Sequence, residues 1–130
     1  MSDTVLDASA LLALLNREPG AERVAERLLT GAVMSAVNLS EVVAKLSDVG
    51  MAEAEVREII APLGVEVVAF DEAAAFVAGL LRRESRRAGL SLGDRACLAL
   101  GRARRLPVLT ADIAWSTIDL GSDVEIVMLR

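Results

Sequence analysis

The feature that most constrains the fold is an alternation of short apolar segments with longer segments of helical periodicity. Apolar runs typical of strands occur at 4–6, 32–35, 65–70, 106–110 and 124–128. Patterns typical of helices occur between them, at 10–15, 21–29, 39–46, 51–63, 73–87 and 96–105. This order predicts an α/β fold, a three-layer α/β/α sandwich with helices on both faces of a mostly parallel sheet. Strands buried on both faces should be almost continuously apolar, as these runs are.

Length and composition limit the organisation and the chemistry of the chain. A chain of 130 residues suits one domain spanning 1–130, and 54% hydrophobic against 2% aromatic residues implies an aliphatic core. The absence of histidine excludes Ser-His-Asp and Cys-His nucleophile pairs and imidazole metal ligands. Cys97 alone forms neither an internal disulfide nor a structural zinc site. No targeting segment or spanning helix is evident, so a soluble cytoplasmic protein is expected.

The charge balance argues against binding nucleic acid by surface charge alone. The formal net charge is −5, whereas proteins that hold nucleic acid electrostatically are usually basic. Metal ions or local arginine clusters would be needed, and Lys45 is the only lysine among the basic residues. The arginines concentrate in two clusters, namely Arg82, Arg83, Arg86 and Arg87, and then Arg102, Arg104 and Arg105. Either cluster is a solvated helix surface or a phosphate contact, with Arg82, Arg86 and Arg87 the candidate contacts to a nucleic-acid backbone.

Four acidic residues are predicted to meet at one edge of the sheet. Asp7 directly follows the first strand and Asp112 lies two residues past the fourth, while Glu41 and Asp94 fall in the first turns of helices that start at the same edge. Simpler roles remain open. Asp7 and Asp112 suit helix N-caps, Ser91 and Asp94 resemble a capping box, and Glu41 lies opposite its helix's apolar stripe, as a solvated residue would.

A cluster of four carboxylates would require a cation, because unpaired carboxylates in close proximity raise one another's pKa. Ligation by oxygen alone favours Mg²⁺ or Mn²⁺ over zinc or copper. Mg²⁺ commonly bridges to substrate phosphates, so the cluster indicates phosphodiester chemistry assisted by one or two metal ions.

The segments that carry these acids resemble the signature stretches of PIN-domain ribonucleases, and most closely those of VapC toxins from prokaryotic toxin–antitoxin pairs. They read VLDASALLALL (5–15), SAVNLSEVV (35–43), LSLGDRACLAL (90–100) and LTADIAW (109–115). The resemblance spans nearly the whole chain, with the family's order and spacing. It departs at Ile113, where many relatives carry a basic residue, which leaves open how RNA is held near Asp112.

The resemblance implies a PIN-like fold and a Mg²⁺- or Mn²⁺-dependent endoribonuclease. The implied metal-binding and catalytic residues are Asp7, Glu41, Asp94 and Asp112, with Asp7 and Asp94 the most direct ligands. Polar neighbours would orient these carboxylates, namely Ser9, Asn38 and Thr110. The resemblance also implies a homodimer and a cognate VapB-type antitoxin that blocks the site, commonly with an Arg-bearing segment.

Two other functions fit parts of the sequence. A phospho-receiver domain would share the length and the α/β pattern, with Asp71 after the third strand as acceptor, but Asp7 stands alone in its turn and no lysine follows the last strand. A PIN-like module without catalysis is the other alternative, although such a module would be free to lose its carboxylates. Trp115 is expected to be a packing residue, because one aromatic side chain is a poor platform for bases.

Overall fold

The computed structural model describes residues 2–85, 89–118 and 123–130. Its sheet contains five strands, which are β1 (Thr4–Leu6), β2 (Ala32–Ser35), β3 (Glu66–Val68), β4 (Val108–Thr110) and β5 (Ile126–Met128). They lie in the order β3-β2-β1-β4-β5, and every neighbouring pair is parallel. The predicted parallel sheet is therefore confirmed, and β3 and β5 are its edge strands.

Helices connect the strands and cover both faces. They are α1 (Ala8–Leu15), α2 (Ala21–Thr30), α3 (Ala36–Asp48), α4 (Glu53–Ile60), α5 (Glu72–Glu84) and α6 (Leu92–Arg104). The helix predicted over 51–63 is shorter, because its last turn tightens into a 3-10 helix, Ala61–Leu63, that contains Pro62. The end predicted for the fifth helix, Arg87, lies outside the described residues. The helix α6 begins after its cap Ser91, so Asp94 lies in its first turn, as predicted.

Two apolar clusters lie on opposite faces of the sheet. Leu6, Met34 and Leu109 face one of them, together with α1. Their strand neighbours Val5, Val33 and Val108 face the other, together with α5 and α6, because successive strand residues point to opposite faces. This confirms the three-layer sandwich. Trp115 is 1% exposed within the second cluster, which confirms its packing role.

The third strand departs from the expectation of burial on both faces. Its sequence is strongly apolar, yet Glu66 is exposed and Val67 is 42% exposed. The reason is its place in the sheet, since β3 is an edge strand that pairs only with β2. The β propensity of a segment reports its suitability for a strand and does not report its position among neighbours.

The strand order also decides between fold families. In the receiver fold β1 lies between β2 and β3, whereas here it lies between β2 and β4. Asp71 is an exposed N-cap of α5, and its Oδ1 accepts the Ala74 N–H at 2.9 Å. The phospho-receiver interpretation therefore does not fit this sheet. Within the described ranges, no helix combines the length and hydrophobicity needed to cross a bilayer.

Candidate active site

Asp7 lies between β1 and β4, at the point where the strand order of the sheet reverses. Ligands bind at this point in open α/β sheets. Its side chain is only 5% exposed. Oδ1 accepts the Ala10 N–H at 2.9 Å and the Ser9 hydroxyl at 2.8 Å, and Oδ2 accepts the Thr110 hydroxyl at 2.5 Å. Asp7 is thus the N-cap of α1, as its position suggested, but it is a buried cap held at both oxygens.

Two hydroxyls tie Asp7 to the segment that follows β4. Thr110 Oγ1 accepts the Asp112 N–H at 3.0 Å while it donates to Asp7. Ser9 Oγ accepts the Ala111 N–H at 2.9 Å and lies 3.2 Å from Thr110 Oγ1. Asp112 itself is exposed and caps the 3-10 helix Ile113–Thr117, with its Oδ1 accepting the Ala114 N–H at 3.0 Å. The network therefore fixes the backbone of Asp112 relative to the carboxylate of Asp7.

Glu41 is exposed, as its place on the helical wheel suggested, yet its carboxylate is held in position. The buried Asn38 donates from Nδ2 to Glu41 Oε1 at 2.9 Å and to the Gly93 carbonyl at 3.0 Å. A Cβ added to Gly93 would lie only 2.5 Å from Glu41 Oε1 and 2.6 Å from its Cδ. Glycine at position 93 therefore lets the Glu41 carboxylate rest on the first turn of α6. This role of Gly93 was not predicted from the sequence, in which the Gly-Asp pair at the start of α6 is its only signal.

Asp94 forms the capping box that the sequence resembled. Its Oδ2 accepts the Ser91 N–H at 2.9 Å, and its own N–H donates to Ser91 Oγ at 3.1 Å. The residue is half-buried, and Oδ1 accepts no hydrogen bond from the described residues. The cap thus orients Asp94 through one oxygen and leaves the other for a further ligand.

Three of the four carboxylates influence the same buried side chain electrostatically. Burial raises the pKa of Asp7 to about 6, against the lowering effect of its hydrogen bonds, and the charge of Asp94 raises it further. The buried Cys97 thiol has its pKa raised well above the ordinary value, first by desolvation and then by the charges of Asp7, Asp94 and Glu41. Three carboxylates, from the residue after β1, from α3 and from α6, therefore lie near enough to one buried thiol to raise its pKa.

No cation offsets these charges in the part of the chain described. The salt bridges formed there involve other acids, and none reaches Asp7, Glu41, Asp94 or Asp112. Within 2–85, 89–118 and 123–130, no three Asp, Glu or Cys side chains stand close enough to enclose an ion by themselves. An ion held here would complete its ligand set with water or substrate oxygens, and that is the usual state of Mg²⁺ in proteins.

The positions of the candidate arginines give no support for a contact with a nucleic-acid backbone. Arg82 is exposed in the last turn of α5, with no contact to the acidic residues among those described. Arg86 and Arg87 lie outside the described residues. In the second cluster, Arg102 and Arg104 form ion pairs with acidic side chains. These pairs favour the alternative that this cluster is a solvated helix surface.

Comparisons with known proteins agree with this geometry. The family model of the PIN domain matches residues 4–120. A DNA-bound VapBC from Salmonella typhimurium superposes with a TM-score of 0.75 at 18% identity, covering 100% of both chains. A toxin–antitoxin complex from Klebsiella pneumoniae gives 0.74 at 19% identity over 98% of each chain, and FitAcB from Neisseria gonorrhoeae gives 0.66 at 22% over 97% of each. No curated protein matches the chain by sequence.

Proposed function

The chain belongs to the PIN domain family, and from that premise we propose that it is a metal-dependent endoribonuclease of the VapC toxin type, which cleaves RNA phosphodiester bonds. The observation that carries the proposal is the set of carboxylates at the carboxyl edge of the sheet. Asp7, Glu41 and Asp94 act on one buried thiol without a compensating cation among the described residues. Burial and the charge of Asp94 raise the pKa of Asp7, and a cation beside these carboxylates would offset that cost.

The donor set fits Mg²⁺ or Mn²⁺. All the candidate ligands are carboxylates, and hard divalent cations prefer oxygen donors. We assign Asp7 and Asp94 as the most direct ligands, with Glu41 and Asp112 completing the acidic set. When bound, one or two such ions would supply Lewis-acid polarisation of the phosphate and would lower the pKa of an attacking water molecule.

The protein's own side chains would hold and orient this set. Ser9 and Thr110 fix both oxygens of Asp7, while Asn38 fixes Oε1 of Glu41. Such hydrogen bonds hold a metal-binding carboxylate in one orientation. The chain contains no histidine, so in this proposal no imidazole moves protons. The work of the protein is to position the phosphate and concentrate negative charge where cations bind.

The proposal includes two protein partners. The similar structures from Salmonella and Klebsiella are toxin–antitoxin complexes, which supports a VapB-type antitoxin for this chain and regulation by a blocked site. A homodimer and a cytoplasmic location are further parts of the proposal, as the resemblance to VapC toxins implies. RNA contact by Arg82, Arg86 and Arg87 stays a prediction alongside these.

The decisive test compares wild type with Asp94→Asn. Induced expression followed by mapping of new RNA ends should reveal cleavage sites for wild type only. The purified protein should cleave RNA with Mg²⁺ or Mn²⁺ and stop when a chelator is added. Rates should fall about a thousandfold or more in Asp94→Asn, because several kcal/mol of transition-state stabilisation would be lost.

Asp71→Asn is the matched control. Asp71 also accepts a backbone N–H at the start of a helix, as the N-cap of α5, and asparagine caps a helix equally well. The control should cleave like wild type. Cleavage that survives in Asp94→Asn, or that is indifferent to chelation, would refute the proposal. RNA binding without cleavage by wild type would favour the non-catalytic module instead.

A further inference from the structure

A groove of about 360 Å³ opens beside the acidic site, between α1, α3 and the C-terminus. Ser9 and Ala111 form one end of it, and both belong to the hydrogen-bond network around Asp7. The lining also includes Leu12, Asn16, Leu46 and Val49, together with the charged residues Glu18, Lys45 and Arg130. The groove is therefore continuous with the candidate active site and is not a separate depression.

Lys45 supplies the charge of this groove. It lies four residues beyond Glu41 on α3, about 6 Å along the helix axis. Despite this favourable i,i+4 spacing, no ion pair joins them, because Glu41 is engaged by Asn38. Among the described residues no carboxylate lies within salt-bridge distance of Lys45. The only lysine of the chain thus lines a groove that leads to the acidic site, and the acid of the groove, Glu18, pairs with Arg130 instead.

The other cation of the groove is already neutralised. Arg130 Nη2 pairs with Glu18 Oε1 at 3.0 Å, and its Nη1 donates to the Pro19 carbonyl at 2.9 Å. Lys45 therefore gives the groove a net positive charge in a chain whose formal net charge is −5. A flexible ammonium group suits a phosphate oxygen, which it meets as a point charge.

We propose that this groove binds the phosphate next to the scissile one in an RNA strand, with Lys45 as the contact. The inference rests on the proposed ribonuclease function. Cations at the acidic site would neutralise the scissile phosphate only. The neighbouring phosphate would otherwise meet an acidic surface, and phosphate contacts are what fix the register of a nucleic-acid strand.

A larger groove on the other side of α3 does not suit a phosphate. It measures about 660 Å³ and lies between α3, α4 and the edge strand β3, with a mainly aliphatic lining. Its one arginine, Arg57, is paired with Glu53 at 2.8 Å. It contains none of the four acids and shares no residue with the Asp7 network, so the RNA path is assigned to the Lys45 side.

The test measures binding of a labelled single-stranded RNA 20-mer of randomised sequence across a salt series. Lys45→Ala should weaken binding about fivefold to tenfold and should reduce the salt slope by about 0.7, the value for one lost phosphate contact on a single strand. Lys45→Arg should restore both. With an RNA that wild type cleaves, Lys45→Ala should raise KM by a similar factor and leave kcat within about twofold, because the contact serves binding alone.

Arg27→Ala is the control for net charge. Arg27 is an exposed arginine on α2 that does not line the groove. If Lys45→Ala behaves like Arg27→Ala while wild type cleaves RNA, the phosphate site is wrong and the ribonuclease proposal stands. If wild type neither binds nor cleaves RNA, both proposals fail. Circular dichroism of each variant separates loss of contact from loss of fold.

Discussion

The two ends of α6 use carboxylates in opposite ways. At its C-terminal end, Arg104 pairs with Glu66 at 2.8 Å, and Arg102 pairs with Glu84 at 2.9 Å and with Asp123 at 3.3 Å. At its N-terminal end, Asp94 stands with Asp7 and Glu41 near the buried Cys97, and the described residues place no cation among them.

The pKa shifts follow this difference. The hydrogen bond from Arg104 lowers the pKa of Glu66, whereas burial raises that of Asp7 to about 6. Acidic residues are therefore abundant at both ends, and their number does not distinguish them. What marks the N-terminal end is burial without a counter-charge, the condition under which a carboxylate gains most from an external cation.

The largest effect expected from this comparison is a pH-dependent stability in chelator-containing buffer. The native pKa of Asp7 lies above the unfolded value of 3.8, so the folded state binds the proton more tightly. That stabilisation is complete below about pH 4 and is lost as the pH rises through about 6. The free energy of unfolding should fall by about 3 kcal/mol over this range. Denaturant unfolding between pH 4 and pH 7 should show the decline.

Asp7→Asn sharpens this test, because asparagine can accept from Ser9 and Ala10 and carries no charge. The variant should lose the part of the decline that comes from Asp7 and should be more stable than wild type at pH 7. Glu66→Gln, at the other end of α6, should leave the decline in place. An Asp7→Asn profile parallel to that of wild type would show that Asp7 titrates normally and that the comparison is wrong.

An intermediate effect is expected from Thr110→Val, which keeps the shape of the side chain and removes its hydroxyl. Asp7 Oδ2 would lose its donor and the Asp112 N–H its acceptor. Metal-dependent cleavage should fall about tenfold to a hundredfold, as is typical when a ligand's orienting hydrogen bond is lost. The measurement is kcat/KM together with the metal concentration that gives half-maximal rate.

Thr117→Val is the paired control, because that hydroxyl donates to the Ala114 carbonyl, on an exposed residue. Thr110→Ser should recover most of the rate. Equal rates in the two valine variants would mean that the Asp7 network does not contribute to the reaction.

The smallest effect is expected from Gly93→Ala. The added Cβ would collide with the Glu41 carboxylate, which can swing away at little cost because it ends a flexible, exposed side chain. Cleavage should fall by a factor of about ten or less, while stability stays unchanged or rises by up to about 1 kcal/mol, since alanine favours helices over glycine.

Gly79→Ala provides the matched comparison on α5. It makes the same change in a helix where nothing lies within 4 Å of the new Cβ. Gly79→Ala should show the helix stabilisation with full activity. A Gly93→Ala protein of full activity would indicate that the position of Glu41 is not important.

Most of the fold was predictable, because its determinants are local patterns repeated along the chain. Every predicted strand is present within two residues at either end, and the predicted helices occur between them. The helix over 51–63 was predicted too long, since Pro62 tightens its final turn. The exposure of β3 was not predictable, because Val67 has the same local sequence character in an edge strand as in a central one.

The candidate site was predictable in its residues and only partly in its geometry. Asp7 and Asp112 are helix N-caps and Asp94 belongs to a capping box, as the simpler of the two predicted roles required. The capping hydrogen bonds also orient the carboxylates. Helix capping and a place in the acidic site are therefore compatible roles for the same residue. Sequence alone did not indicate that Gly93 makes room for Glu41, because that contact joins α3 to α6 across 52 positions of the chain.

The sequence by itself determined the α/β alternation, the absence of imidazole chemistry and the identity of the acids at strand and helix ends. These properties depend on residue type and on spacing within single elements. Only the tertiary structure decided that β1 lies beside β4, that Asp7 is buried and that no cation is placed against Asp7, Glu41 and Asp94 within the described residues. Burial and charge pairing are properties of neighbours in space, and the packing of distant segments sets them.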